Sequence, residues 1–181
     1  MNTRFVSLLF PLALALGFSG SALAVTTNLG AVVVGTPTTF SASSAPGSFS
    51  DLFTFTLPAN GGSGYSVANF ALPFFGFNTT LSSLTLFSNP DGILSNGDDL
   101  QVANNPTGGN SIALTYGASV AGPYYLKVVG IATDTSGGLY NGAISVAAVP
   151  PAPVPEPESY ALMLAGIGII GFVSARRRHQ A

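Results

Sequence analysis

The side chains able to do acid–base or ligand chemistry are few. They are five aspartates (Asp51, Asp91, Asp98, Asp99 and Asp134), two glutamates (Glu156 and Glu158), Lys127, four arginines and one histidine, His179, with no cysteine anywhere in the 181 residues. Without cysteine there is no disulfide, thiolate metal site or sulfur nucleophile. A single histidine, third from the C-terminal end, leaves the body of the chain without a Ser-His-Asp system, a histidine metal site or a histidine base. Asp91, Asn96, Asp98 and Asp99 supply oxygen atoms of the kind calcium prefers, but their spacing lacks the twelfth-position Glu of an EF-hand loop and suits a polar surface loop. A glycosidase-like carboxylate pair could be drawn from Asp98 and Asp99 with Asp134, but adjacency in a Gly/Asn loop is weak support for it. The expectation is a chain that is not an enzyme and that needs no cofactor or metal.

Asp51 is different in kind, because it lies inside an alternating apolar segment. In Phe49-Ser50-Asp51-Leu52-Phe53-Thr54-Phe55-Thr56-Leu57 the period of two places Phe49, Phe53, Phe55 and Leu57 on one strand face together with Asp51. A carboxylate there is costly unless it is hydrogen-bonded. The structural role expected of it is to accept backbone N–H groups of the preceding loop.

The charged groups at the two ends have a simpler reading. Arg4 precedes an apolar run from Phe5 to Phe18, and the small residues after it end in Ala22-Leu23-Ala24. This is the pattern of a secretory signal peptide over residues 1–24, cleaved after Ala24, and it implies passage through the Sec translocon. At the other end Pro155-Glu156-Pro157 is followed by seventeen uncharged residues from Ser159 to Ala175 and then by Arg176, Arg177 and Arg178. Seventeen residues make about 25 Å of helix, at the short end of what crosses a bilayer. Arginines at both ends favour the cytoplasm, so the precursor is expected to loop outward across the inner membrane.

The order Pro-Glu-Pro, apolar helix and arginine cluster resembles the PEP-CTERM sorting signal of Gram-negative bacteria. The resemblance implies recognition by an exosortase, a membrane enzyme thought to process the tail and release or transfer the protein to the cell surface. Phe49-x-Asp51-x-Phe53 resembles the signature of a PEP-CTERM subgroup named for its F-x-D-x-F motif. Asp51-Leu52-Phe53-Thr54-Phe55 taken with Gly122-Pro123-Tyr124-Tyr125-Leu126-Lys127-Val128 looks like the two ends of the β-sandwich modules appended to secreted bacterial peptidases.

Between the ends, residues 25–148 suffice for one domain with a real core. Its five aspartates against one lysine give a formal charge of −4, which makes nucleic acid a poor partner. Turn signals such as Asn60-Gly61-Gly62 and Asn89-Pro90-Asp91-Gly92 separate about eight short alternating segments, and no segment has helical periodicity. These predict an all-β fold, an antiparallel β-sandwich of jelly-roll type, with no parallel pairing because no crossover helix is available. Residues 41–48 read as loop, as does the stretch from Asp91 to Pro106, while Phe74 to Phe77 read as part of an apolar strand region. Residues 149–159 hold a Pro-rich extended spacer with the Pro-Glu-Pro motif, residues 160–175 the transmembrane helix and residues 176–181 a basic cytoplasmic tail.

The expected role is that of a non-enzymatic exported protein at the outer surface or in the extracellular polysaccharide matrix of a biofilm. One alternative is a carbohydrate-binding module using Tyr65, Phe74, Phe75, Phe77, Tyr124 and Tyr125, which requires several of these rings to lie coplanar on one solvent face; a second is a secreted hydrolase, which requires a pocket converging on two of the aspartates.

Overall fold

A computed structural model of the protein describes residues 24–151 and 157–178. The signal-peptide body (1–23), residues 152–156 with Pro155 and Glu156, and the last three residues with His179 lie outside the described residues.

Among the described residues, nine strands form two sheets that face each other. They are β1 (Thr26–Ala31), β2 (Thr38–Ser44), β3 (Gly47–Leu57), β4 (Gly62–Asn69), β5 (Thr79–Ser88), β6 (Leu100–Asn105), β7 (Ser111–Tyr116), β8 (Gly122–Ala132) and β9 (Gly138–Ala147). One sheet has the order β1-β3-β8-β5-β6 and the other β2-β9-β4-β7. From β2 onward the pairings are all antiparallel, and the orders 2-9-4-7 and 3-8-5-6 are those of a jelly roll. Alternation explains the sandwich: in β3 Phe49, Asp51, Phe53, Phe55 and Leu57 are all buried, and in β8 Leu126 and Val128 meet them from the neighbouring strand. Tyr65, Val67, Ile112, Leu114, Tyr140 and Ile144 come from the opposite sheet to close the core.

Three features depart from the sequence reading. The first is β1, which pairs with β3 in parallel, with Thr26 opposite Leu52 and Thr27 opposite Phe53. The return crossing that a parallel pair needs is made by β2, a strand of the other sheet, so no helix is required. The second concerns residues 41–48, where β2 continues to Ser44 and β3 begins at Gly47, leaving only Ala45 and Pro46 between sheets. As an edge strand β2 turns only Phe40 fully into the core, so its Ser-rich sequence carries little hydrophobic alternation. The same holds for β6, an edge strand with no fully buried residue inside the stretch read as loop.

The third departure is at Pro73–Phe75, which forms a single 3-10 turn rather than a strand. Proline presets the first position of the turn, and Gly76, at φ +73°, ends it in the left-handed region. A side chain at Gly76 would also press on the hydroxyls of Thr135 and Ser136, at 2.7 and 2.8 Å.

The C-terminal unit is a helix, α1 (Pro157–Arg178), about 33 Å long at 1.5 Å per residue. It begins at Pro157, within the stretch read as spacer, because proline fits the first helical position, where no N–H is needed. Glu158 lies in its first turn and Arg176, Arg177 and Arg178 in its last, each charge placed to favour the helix dipole.

Candidate functional site: the C-terminal segment

From Ala161 to Val173, α1 holds only aliphatic residues, one methionine, one phenylalanine and three glycines, and the helix is apolar on every side. Leu162, Leu164, Ile167, Ile169, Ile170 and Phe172 are all exposed. In water such a helix would leave this surface uncovered; in a bilayer it needs no partner, since every backbone bond is satisfied within the helix. Glu158–Arg178 is long and apolar enough to cross a membrane, and it is the one such helix among the described residues. Arg176, Arg177 and Arg178 follow the apolar stretch in the last turn of the helix, so the uncharged span ends in a cluster of positive charge.

Of the expected sorting residues, Pro157 and Arg176 to Arg178 therefore sit on a single helix, at its first and last turns, while Pro155 and Glu156 precede it outside the described residues. Ala24, separated from β1 by Val25, is exposed; Ala22 is outside the described residues.

Phe49, Asp51 and Phe53 lie on the inward face of β3. Asp51 is 2% exposed. Its Oδ2 accepts the hydroxyl of Tyr140 at 2.6 Å and its Oδ1 accepts the backbone N–H of Val25 at 3.0 Å. The partners come from the opposite sheet and from the residue before β1, not from the loop preceding β3. Phe49 stacks on the Tyr140 ring at 5.3 Å and Phe53 meets it edge-on at 6.3 Å, so the three motif residues surround one tyrosine. Burial, reinforced by the hydrogen bond to the Asp51 carboxylate, drives the Tyr140 phenol far above its ordinary range.

In the acidic loop between β5 and β6, Asp91 and Asp99 accept hydrogen bonds chiefly from the loop itself. Asp91 accepts the N–H of Ile93 at 2.8 Å and the amide of Asn96 at 2.6 Å. Asp99 accepts the N–H of Ser95 at 2.7 Å and the Tyr125 hydroxyl at 3.2 Å. Tyr125 stacks on Phe87 at 4.7 Å, and burial together with the adjacent Asp99 charge pushes its phenol up to about 12. The loop thus caps the outer face of its sheet. Asp134 belongs to the turn after β8, at the opposite end of that strand from Tyr125, so the three aspartates considered for a glycosidase pair are not brought together. Among the described residues no group of three or more His, Asp or Glu side chains is placed to hold a metal ion.

The six aromatic candidates separate by burial. Tyr65, Tyr124 and Tyr125 are buried and Phe77 is partly buried, whereas Phe74 and Phe75 are 93% and 64% exposed. The two exposed rings stand at 86° to each other with centroids 5.4 Å apart, which is an edge-to-face pair and not a flat platform.

Comparison with known proteins locates the recognisable signal in the tail. Residues 153–178 match the family model described as the PEP-CTERM protein-sorting motif. No curated protein matches the chain. Among solved structures, the pre-peptidase C-terminal domain of collagenase from Bacillus anthracis is similar at 21% identity and a TM-score of 0.38, over 68% of this chain and 96% of that one. CorA, a surface-associated copper-binding protein of Methylomicrobium album BG8, is similar at 7% identity and a TM-score of 0.41, over 68% of this chain and all of that one. The C-terminal segment is a PEP-CTERM sorting motif, and it marks the chain as an exported protein, sorted by an exosortase from a membrane-anchored precursor.

Proposed function

We propose that this is a non-enzymatic protein of the outer surface or the extracellular polysaccharide matrix, held in the inner membrane by α1 only until an exosortase has acted on its tail. The observation that carries the reading is the coincidence of the sorting motif at 153–178 with a membrane-length helix that ends in three arginines. The surface of the sandwich supports it: the outer face of the β2-β9-β4-β7 sheet is lined by Thr39, Ser41, Ser66, Asn141 and Ser145, small polar groups suited to a hydrated polymer. The dispersal of Asp98, Asp99 and Asp134 favours a binding or structural role over hydrolysis. In this reading the F-x-D-x-F resemblance belongs to the fold, since all three motif residues are buried.

The test separates reading of the motif from simple anchoring. A spacer residue outside the bilayer contributes nothing to insertion, so for a plain anchor Glu156→Gln is silent. For an enzyme that reads the motif, losing a carboxylate between two φ-restricted prolines costs about 1.5 to 3 kcal/mol of binding. Unprocessed precursor is expected to accumulate in the inner membrane with Glu156→Gln, while Glu158→Gln, within the first helical turn, is processed nearly normally. Identical processing of both variants and the parent would reduce the tail to an anchor.

A further inference from the structure

Asp51 is a buried carboxylate whose hydrogen-bonding partners, Tyr140 and the Val25 amide, are both uncharged as long as Val25 remains linked to Ala24. Lys127 stands opposite Leu52 in the β3–β8 pairing, one residue along and therefore on the other face, so it does not compensate the charge. Two neutral donors leave a buried anion undercompensated. The nitrogen at 3.0 Å belongs to the residue that follows the Ala22-Leu23-Ala24 pattern.

We propose that Asp51 is the receptor for the chain's own processed N-terminus. Hydrolysis of the Ala24–Val25 bond adds the hydroxyl of water to the Ala24 carbonyl and its proton to the Val25 nitrogen, leaving a carboxylate on the released peptide and an α-ammonium on Val25. The new charge arises at the position already occupied by the donor to Asp51 Oδ1, so no rearrangement is needed to form the pair. Leu52 N–H meanwhile donates to the Val25 carbonyl at 2.8 Å, so consecutive residues of β3 grip Val25 on both sides of its Cα. The pair fixes the start of β1, the edge strand of the parallel pairing. Processing thereby stabilises the exported form over its precursor, and the aspartate of the Phe49-Asp51-Phe53 constellation serves to bind a terminus.

The inference rests on the export reading insofar as it requires cleavage after Ala24, and the experiment keeps the two apart. The exported chain is purified in detergent from cells lacking the exosortase, in a Lys127→Arg background where the α-amine is the only amine. Intact mass first establishes whether it begins at Val25. One portion is then acetylated, which restores an amide like that of the precursor, and another is reductively methylated, which retains the charge. Unfolding is followed by near-UV circular dichroism of the tyrosines. Acetylation is expected to raise the unfolding constant about tenfold or more, as loss of a charge-assisted bond does, and methylation to raise it much less. In Asp51→Asn the free and acetylated forms should agree within about twofold, the scatter left when no shared interaction couples two changes. If that variant does not fold, the comparison of acetylated with methylated parent decides alone. Equal stability of these two forms in a chain starting at Val25 overturns the receptor role and leaves export intact; a chain starting elsewhere overturns both the cleavage assignment and the receptor.

Discussion

Phe53 holds its ring between Phe40, 4.2 Å away, and the edge of Tyr140, and it is 1% exposed. Truncation to Ala removes the ring from the meeting point of the two sheets, and Phe53→Ala should cost about 3 to 5 kcal/mol. Thr54, the next residue, faces outward and is only partly buried, so Thr54→Ala should cost less than about 0.5 kcal/mol. Chemical denaturation of both variants checks the face assignment, and equal small effects would contradict it. The buried phenols make a second prediction at this scale. Burial pushes Tyr65 up to about 12, partly offset by its hydrogen bond to Ser63, and it drives Tyr140 upward as well. A phenol that must stay protonated in the folded state but ionises near pH 10 when unfolded stabilises the fold fully below about pH 10. Above that pH the unfolded chain binds fewer protons, and stability falls by about 1.4 kcal/mol per pH unit for each such group until the folded pKa is reached. Phenolate absorbance should therefore rise in two stages, with Tyr65 and Tyr140 ionising only as the sandwich unfolds. A single transition near pH 10 with native circular dichroism retained would place these rings at the surface.

Among the elements, β3 and β8 were legible because their buried residues alternate with outward ones, whereas the edge strands β2 and β6 were not. An edge strand buries few side chains, so its pattern is set mainly by the pairing of its backbone, which leaves no mark on residue type. Pro73 and Gly76 do carry the signal of the 3-10 turn between β4 and β5, but the run of phenylalanines around them masks it. Two glycines illustrate information that emerges only in pairing. Gly130 lies opposite Phe49 across β3–β8 and Gly142 opposite Phe40 across β2–β9, and in each pair the phenylalanine ring covers the glycine. A Cβ at Gly130 would stand 2.6 Å from the Phe49 ring and 2.8 Å from the Thr80 carbonyl oxygen. Gly130→Ala should therefore cost about 1 to 3 kcal/mol by overpacking, whereas Gly117→Ala, where no atom lies within 4 Å, should change stability by less than about 0.5 kcal/mol. Matching midpoints for the two variants in urea would mean that Phe49 does not lie over Gly130.

For the whole molecule, the destination is more legible than the task. The sorting motif is a linear signal whose parts are adjacent in sequence, so Pro157, the apolar run and the arginines announce it without any fold. The Asp51 site is the opposite case, assembled from Val25, Asp51 and Tyr140, which are separated by 26 and 89 residues along the chain. Alternation could place Asp51 on the buried face, but only the sandwich shows that its partners come from the chain's beginning and from β9. The central claim is that the chain is exported and its tail processed, and the most direct test is intact-mass analysis of fractionated cells with and without their exosortase. With the enzyme, the protein should leave the inner membrane, begin at Val25 and lack the mass of α1; without it, a chain that still carries Arg176 to Arg178 should remain in the inner membrane. The same mass in the same fraction from both strains would contradict the account.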